Sequence, residues 1–352
     1  MLCPRRLLDK PAPDGYPSDG HGSWFWGSRM GPSRFLLTRG RCLAVVAAYA
    51  LPCLAAVCAA PFLGSARTDA EIFWTLRVPR VVLGFLAGGT LALAGASLLV
   101  ILRNPLAEPF TLGAASGGAL GAVVAISVPG LSLALGPLST VQLFSLAGCG
   151  LALTLIYVFA RRPQGVSMNL LLLAGVTIGI LCGSLILLVR YLANPNLLVA
   201  MDRWVMGGLD VVGYRALAGL APFLFPGLGL LVLQTPSLNH LSLGEDMAAG
   251  HGVDVAAVHR EVFLGTGLAT AAIVSITGPI GFVGLIVPHA VRRLSGFDHR
   301  VVLPASFLLG GAFLVACDAL ARVIVRASEM PVGIVTALIG GPLFIHILLK
   351  RR

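Results

Sequence analysis

Nine runs of roughly twenty apolar residues dominate the 352-residue chain, at 42–64, 81–102, 110–128, 138–160, 170–192, 215–234, 260–277, 302–322 and 331–349. A helix needs about 20 such residues to cross the hydrocarbon core of a bilayer, so each run predicts one span. Charged residues make up only 11% of the chain, against roughly 25% in soluble domains. The pattern predicts an all-α polytopic membrane protein surrounded by lipid, because no polar stretch is long enough to form a soluble domain. Residues 1–40, rich in Pro, Gly, Ser and Arg, read as a disordered cytoplasmic leader, and 41–352 as the membrane domain. Met30 is a second candidate start, since Arg34, Arg39 and Arg41 already flank the first span.

A tenth crossing is predicted from Gly278 to Arg300, GPIGFVGLIVPHAVRRLSGFDHR. Its apolar part, 280–290, is too short to span as a helix. Pro288-His289 is expected to end it, because proline disfavours helical geometry in the residue before it. Irregular backbone within the membrane must be covered by protein, and Gly278, Gly281 and Gly284 would let neighbouring helices approach. The expected element is a half-length helix leading to a basic surface that carries Arg292, Arg293 and Arg300. Counting it gives ten crossings and puts both termini on one side. From residue 29 onward that side then carries fourteen basic residues and the other side eight, the bias expected for cytoplasmic termini.

The formal charge of +10 follows from that loop bias, and no basic cluster interleaved with aromatics suggests nucleic acid. The seven cysteines form no CxxC pair and read as small buried hydrophobes. No GxxxxGK[ST] phosphate loop, HExxH pair or Ser-His-Asp set occurs. The sequence therefore predicts no catalytic residue, metal site or cofactor, and ATP hydrolysis would need a separate subunit. His289 reads as a structural histidine at a helix end. Small residues recur every four positions at Gly84/Gly88, Gly113/Gly117/Gly121 and Gly175/Gly179/Gly183, a spacing that favours close helix packing.

Four segments carry a more specific signal: LRVPRVVLGFLAGGTLALAGASLLVILRNPLAEPFTLGAASGGALGA (76–122), LGEDMAAGHGV (243–253), the 278–300 stretch, and DALARVIVRASEMPVGIVTALIGGPLF (318–344). In this order they resemble the membrane subunits of bacterial ABC importers for iron–siderophores, haem and cobalamin, the FecCD/BtuC type, from about residue 75 to the C-terminus. The resemblance implies a type II importer permease with about ten transmembrane helices, one of them half-length, in the cytoplasmic (inner) membrane. It implies a dimer with a second permease copy or a sister permease, two cytoplasmic ATP-binding subunits, and a periplasmic or lipoprotein substrate-binding protein.

By the same resemblance, Arg77, Arg80 and Arg322 dock onto carboxylates of the binding protein, as the rigid guanidinium fork suits. The alternatives are flanking arginines that snorkel to headgroups, and for Arg322 an i,i+4 pair with Asp318. Leu243, Gly244, Glu245, Ala248 and Gly252 match the segment that couples to the ATPase, the alternative being a solvated connector; His251 departs from the pattern, standing where relatives usually have leucine. His289, Arg292 and Arg293 form a second inner patch, either ATPase-facing or a topology signal. A ferric siderophore is the expected cargo, with haem or cobalamin as alternatives. An ion-coupled secondary transporter would need ionisable groups at midplane, and the acidic residues fall in loops, the leader or span ends.

Overall fold

A computed structural model describes residues 39–62, 69–128, 130, 136–162, 165–324 and 330–349; residues 1–38 of the expected leader lie outside these, and its last two, Arg39 and Gly40, open the first helix. The helical segments, in order, are α1 (Arg39–Ala59), α2 (Ala70–Ile72), α3 (Val78–Ile101), α4 (Ala114–Ser127), α5 (Thr140–Ala160), α6 (Met168–Leu192), α7 (Pro195–Val205), α8 (Arg215–Leu233), α9 (Thr235–Leu241), α10 (Glu245–Gly250), α11 (Val255–Thr277), α12 (Val283–Ser295), α13 (His299–Ile324) and α14 (Val332–Leu349). Strand pairing among the described residues is confined to the two-residue contact of Arg161-Arg162 with Gly165-Val166. Among the described residues, six helical stretches are long and apolar enough to cross a membrane, including Ala70–Ile101 and His299–Ile324.

The core is built around α3. Its apolar residues run all round the helix rather than along one stripe, the signature of a helix covered on every side, and 89% of its apolar window is buried. Glycine makes that cover close. A Cβ at Gly88 would collide with the Gly310 carbonyl on α13, and one at Gly95 with the Gly284 carbonyl on α12. The stripe Gly117/Gly121 packs α4 onto α5 in the same way. The third stripe differs: Gly175 meets Gly113, but Gly183 faces open space. Helices α1, α5 and α6 form the periphery, with only 11%, 28% and 22% of their apolar windows buried. Leu151 and Ile180 on them are exposed, and an apolar surface of that extent needs lipid or a partner to cover it.

Helices α4 and α12 are half-length. The span expected at 110–128 is a 3₁₀ turn, Pro109–Leu112, followed by the 14-residue α4. Gly113 between them has φ +74°, a left-handed geometry that stops one helix from running into the next. The expected half-helix at 280–290 is α12, displaced and longer, with Pro288 inside it and its end at Ser295. Pro288-His289 therefore does not terminate the helix. Proline forfeits one hydrogen bond, and the Gly284 carbonyl that loses it lies against Gly95 of α3, where Cα–H contacts replace part of the loss. The stop comes instead from Gly296, at φ +86°.

The segment 278–295 does return through the body. Gly208 N donates to Thr277 O (2.8 Å) beside Asp210, so α11 ends next to the start of α3, where Arg80 and Asp210 pair. At the far end of α12, Arg292 reaches Ala96 O near the other end of α3. The N-terminus of α14 is tied to the first of these ends by Gly333 N donating to Gly207 O (3.1 Å), and α1 finishes there too, Arg77 donating to Pro61 O. The start of α1 and the finish of α14 thus lie toward the same end, opposite Arg80.

Candidate functional site

The two ends of the molecule hold its polar chemistry. At the first, Arg80 Nε and Nη2 each lie 2.9 Å from Asp318 Oδ1, bridging α3 and α13. Arg322 Nε lies 3.1 Å from Asp318 Oδ2, while its N–H points at the Asp318 carbonyl (3.4 Å); the carboxylate contact is charge attraction rather than an aligned hydrogen bond. Asp318 is 1% exposed, Arg80 14% and Arg322 11%. Arg80 Nη1 also lies 3.9 Å from Asp210, which Arg203 Nε holds at 3.2 Å. Arg80, Arg203 and Asp210 line a small cleft with Gly208 and Pro331.

Of the three arginines expected to dock a partner, Arg80 and Arg322 are thus gathered on one buried carboxylate, and Arg77, half-buried, donates to Pro61 O (3.0 Å). The more open guanidinium at this end is Arg203, 58% exposed. Neither Arg203 nor Asp210 stood out in the sequence. Their signal was a basic and an acidic residue seven apart around a Gly-Gly turn.

At the opposite end the expected coupling residues surround α10. Gly244 (φ +128°) and Gly252 (φ +81°) bracket it. Ala248 is fully buried, so its small side chain seats α10 on the protein's own core, while Leu243 and Met247 are exposed. Glu245 lies 3.4 Å from Arg103. His251 stacks on His240 (centroids 5.4 Å apart) and contacts Met247 O through Nδ1 (2.7 Å).

The second inner patch divides. Arg293 is exposed. Arg292 is turned inward, donating to Ala96 O (3.1 Å), because α12's helical register points it at α3; it is not part of a surface patch. His289 Nδ1 lies 2.7 Å from Leu285 O one turn back, and since a carbonyl only accepts, Nδ1 carries the proton. No group of three or more His, Cys, Asp or Glu that could hold a metal occurs among the described residues.

Between the ends lies a contact the sequence did not suggest. Glu108, buried in the RNPLAEP turn, accepts a hydrogen bond from Phe282 N (3.0 Å), where α12 begins. Phe282 has φ +69°, uncommon for a residue with a bulky side chain. The bond pins the start of one half-helix to the turn that precedes the other.

A helical body with a largely enclosed central helix, the half-helices α4 and α12 and polar clusters at both ends is the architecture of a multi-span membrane protein. The comparisons narrow the class. A profile of the FecCD transport family matches residues 42–350, and the chain belongs to that family. It is 41% identical over 302 residues to the cobalamin import system permease protein BtuC of Halobacterium salinarum, covering 86% of this chain and 80% of that one. It is 36% identical over 282 residues to the hemin transport system permease protein HmuU of Yersinia pestis, covering 80% and 84%. A solved chain described as an inward-facing conformation of a metal-chelate type ABC transporter superposes with a TM-score of 0.76 at 31% identity, covering 88% of this chain and 99% of that one. The protein is a multi-pass ABC importer permease, the non-catalytic subunit of a system that also uses ATPase and binding-protein partners.

Proposed function

We propose that this permease carries cobalamin or a closely related corrinoid across the cytoplasmic membrane, driven by ATP hydrolysis on partner subunits. The observation that carries the reading is the 41% identity to a cobalamin permease over 86% of the chain. Haem is the second reading, favoured by the hemin permease at 36%. The ferric siderophore expected from the family at large has less support, since neither of these relatives is named for one.

In this reading the Arg80 end faces outward and receives the binding protein, with Arg77, Arg80 and Arg322 as its docking groups. The α10 end faces inward, where Leu243, Gly244, Glu245, Ala248 and Gly252 shape the contact with the ATPase, aided by Arg293 and His289. Support for the orientation is the basic bias of fourteen against eight and the common end shared by the start of α1 and the finish of α14. A second permease copy, or a sister permease, completes the pathway. Tight recognition of cargo belongs to the binding protein.

The test is uptake of labelled cyanocobalamin into cells that lack their own system and carry this permease with its neighbouring ATPase and binding protein. Uptake that unlabelled cobalamin suppresses, and that hemin and ferric siderophore do not, is expected. Uptake of hemin or a ferric siderophore without cobalamin would overturn the assignment.

A further inference from the structure

A line of hydrogen bonds crosses from α9 to α3 at the α10 end, and each donor and acceptor in it is fixed by its neighbour. Asn239 Nδ2 donates to Asp298 Oδ1 (3.1 Å). Asn239 Oδ1 accepts from His299 N (2.8 Å) and lies 2.8 Å from His299 Nδ1. An amide oxygen only accepts, so Nδ1 carries the imidazole proton and Nε2 presents its lone pair. Arg292 Nη2 meets that lone pair at 3.4 Å and Ala96 O at 3.1 Å. Arg300 closes the line from outside on Asp298 Oδ2 (3.0 Å). Asp298 and His299 are 2% and 1% exposed.

From these contacts we infer that Asn239 is a positioning residue that locks the α9–α10 segment to α12 and α13, and through Arg292 to α3, so that displacement of α10 reaches the central helix. The inference rests on the reading of 243–252 as the ATPase contact. Among the described residues α9 packs directly on α3, and two polar links tie the segment to α3 and to the turn that follows it. Arg103–Glu245, at 3.4 Å and about half exposed, is a pair of the kind that solvent screens and that breaks at little cost. The Asn239 line is buried, and although Arg292 Nε has no partner in it, the bonds from Asp298 through Asn239 and His299 to Arg292 favour one arrangement of these elements over many. Coupling between distant sites is carried by hydrogen-bond networks and packed elements of this kind. Because α3 also carries Arg80 at its other end, the same line connects the α10 surface to the arginine cluster.

The test uses the full transporter in liposomes with its ATPase and binding protein, and reads binding-protein-stimulated ATP hydrolysis alongside the amount of ATPase subunit that copurifies. Asn239→Ala is expected to retain the ATPase subunit and unstimulated hydrolysis while stimulation falls about fivefold or more. Asp298→Asn, which keeps an acceptor oxygen for Asn239, is expected to retain most of the stimulation; a loss as deep as that of Asn239→Ala would contradict the role given to this contact. Stimulation within twofold of the parent in a folded Asn239→Ala protein would overturn the inference. If that variant does not fold, Arg292→Lys decides by the same threshold, because a lysine keeps the charge but cannot reach Ala96 O and His299 Nε2 together. Met247→Glu tests the underlying reading separately: undiminished ATPase copurification there would remove the α10 contact itself, whatever Asn239 does.

Discussion

Asp318 holds two guanidinium groups while almost wholly out of water, and that sets what a substitution costs. Removing one member of a buried ion group leaves the remaining charges uncompensated, on the order of 3 kcal/mol or more. Asp318→Asn is therefore expected to lower the melting temperature of the purified permease sharply. Asp210, half-exposed and 3.9 Å from Arg80, sits in the regime where a pair contributes about 0–1 kcal/mol. Asp210→Asn should leave the melting temperature nearly unchanged, as a fluorescence-monitored thermal ramp would record. Equal destabilisation by the two would show that the cluster is not ordered as described. The contrast matters for docking as well. Arg80 and Arg322 are committed to Asp318, so a partner carboxylate would add to an occupied group, whereas Arg203 has more surface to offer.

The helices depend on contacts too close for side chains. Gly88→Leu forces a side chain into the α13 backbone, and overpacking of this kind costs about 1–3 kcal/mol or more. Loss of the monodisperse peak in size-exclusion chromatography is expected. Gly183→Leu, on the open face of α6, should leave that peak intact; the reverse order would mean that α3 is not the enclosed helix. At the start of α12, Glu108→Ala strands the Phe282 N–H in the interior, a loss of about 1–3 kcal/mol. Glu108→Gln keeps an acceptor oxygen and should recover most of the stability in the same thermal ramp. Indistinguishable Ala and Gln variants would rule out the bond to Phe282.

These cases also mark what the sequence could convey. Apolar run length located most of the spans, although it read 110–128 as a full one where a 3₁₀ turn and the short α4 stand, and the shortness of 280–290 revealed a half-length crossing, because both are local properties. Pro288 misled as a helix end: the outcome depended on Gly95, nearly two hundred residues away, receiving the freed carbonyl. Arg292 looked like surface charge because a basic run after an apolar one usually is; only the register of α12 against α3 turns it inward. The links from Glu108 to Phe282, Arg80 to Asp318 and Asn239 to His299 join residues that no local pattern pairs. Asn239 in particular reads as an ordinary polar residue of a connector.

At the scale of the whole molecule, α3 is the axis about which the account turns. It carries the arginine cluster at one end and receives Arg292 at the other, with both half-helices joined beside it through Glu108. That layout suits a subunit whose two faces must respond to each other: one to a cargo-bearing protein, the other to an ATPase. The most direct measurement is uptake of cyanocobalamin into proteoliposomes holding the permease and its ATPase, with the binding protein outside and ATP within. Accumulation is expected to require both ATP and binding protein and to persist when an uncoupler collapses the ion gradients. Accumulation that ignores ATP and vanishes with the gradient would contradict ATP-driven import.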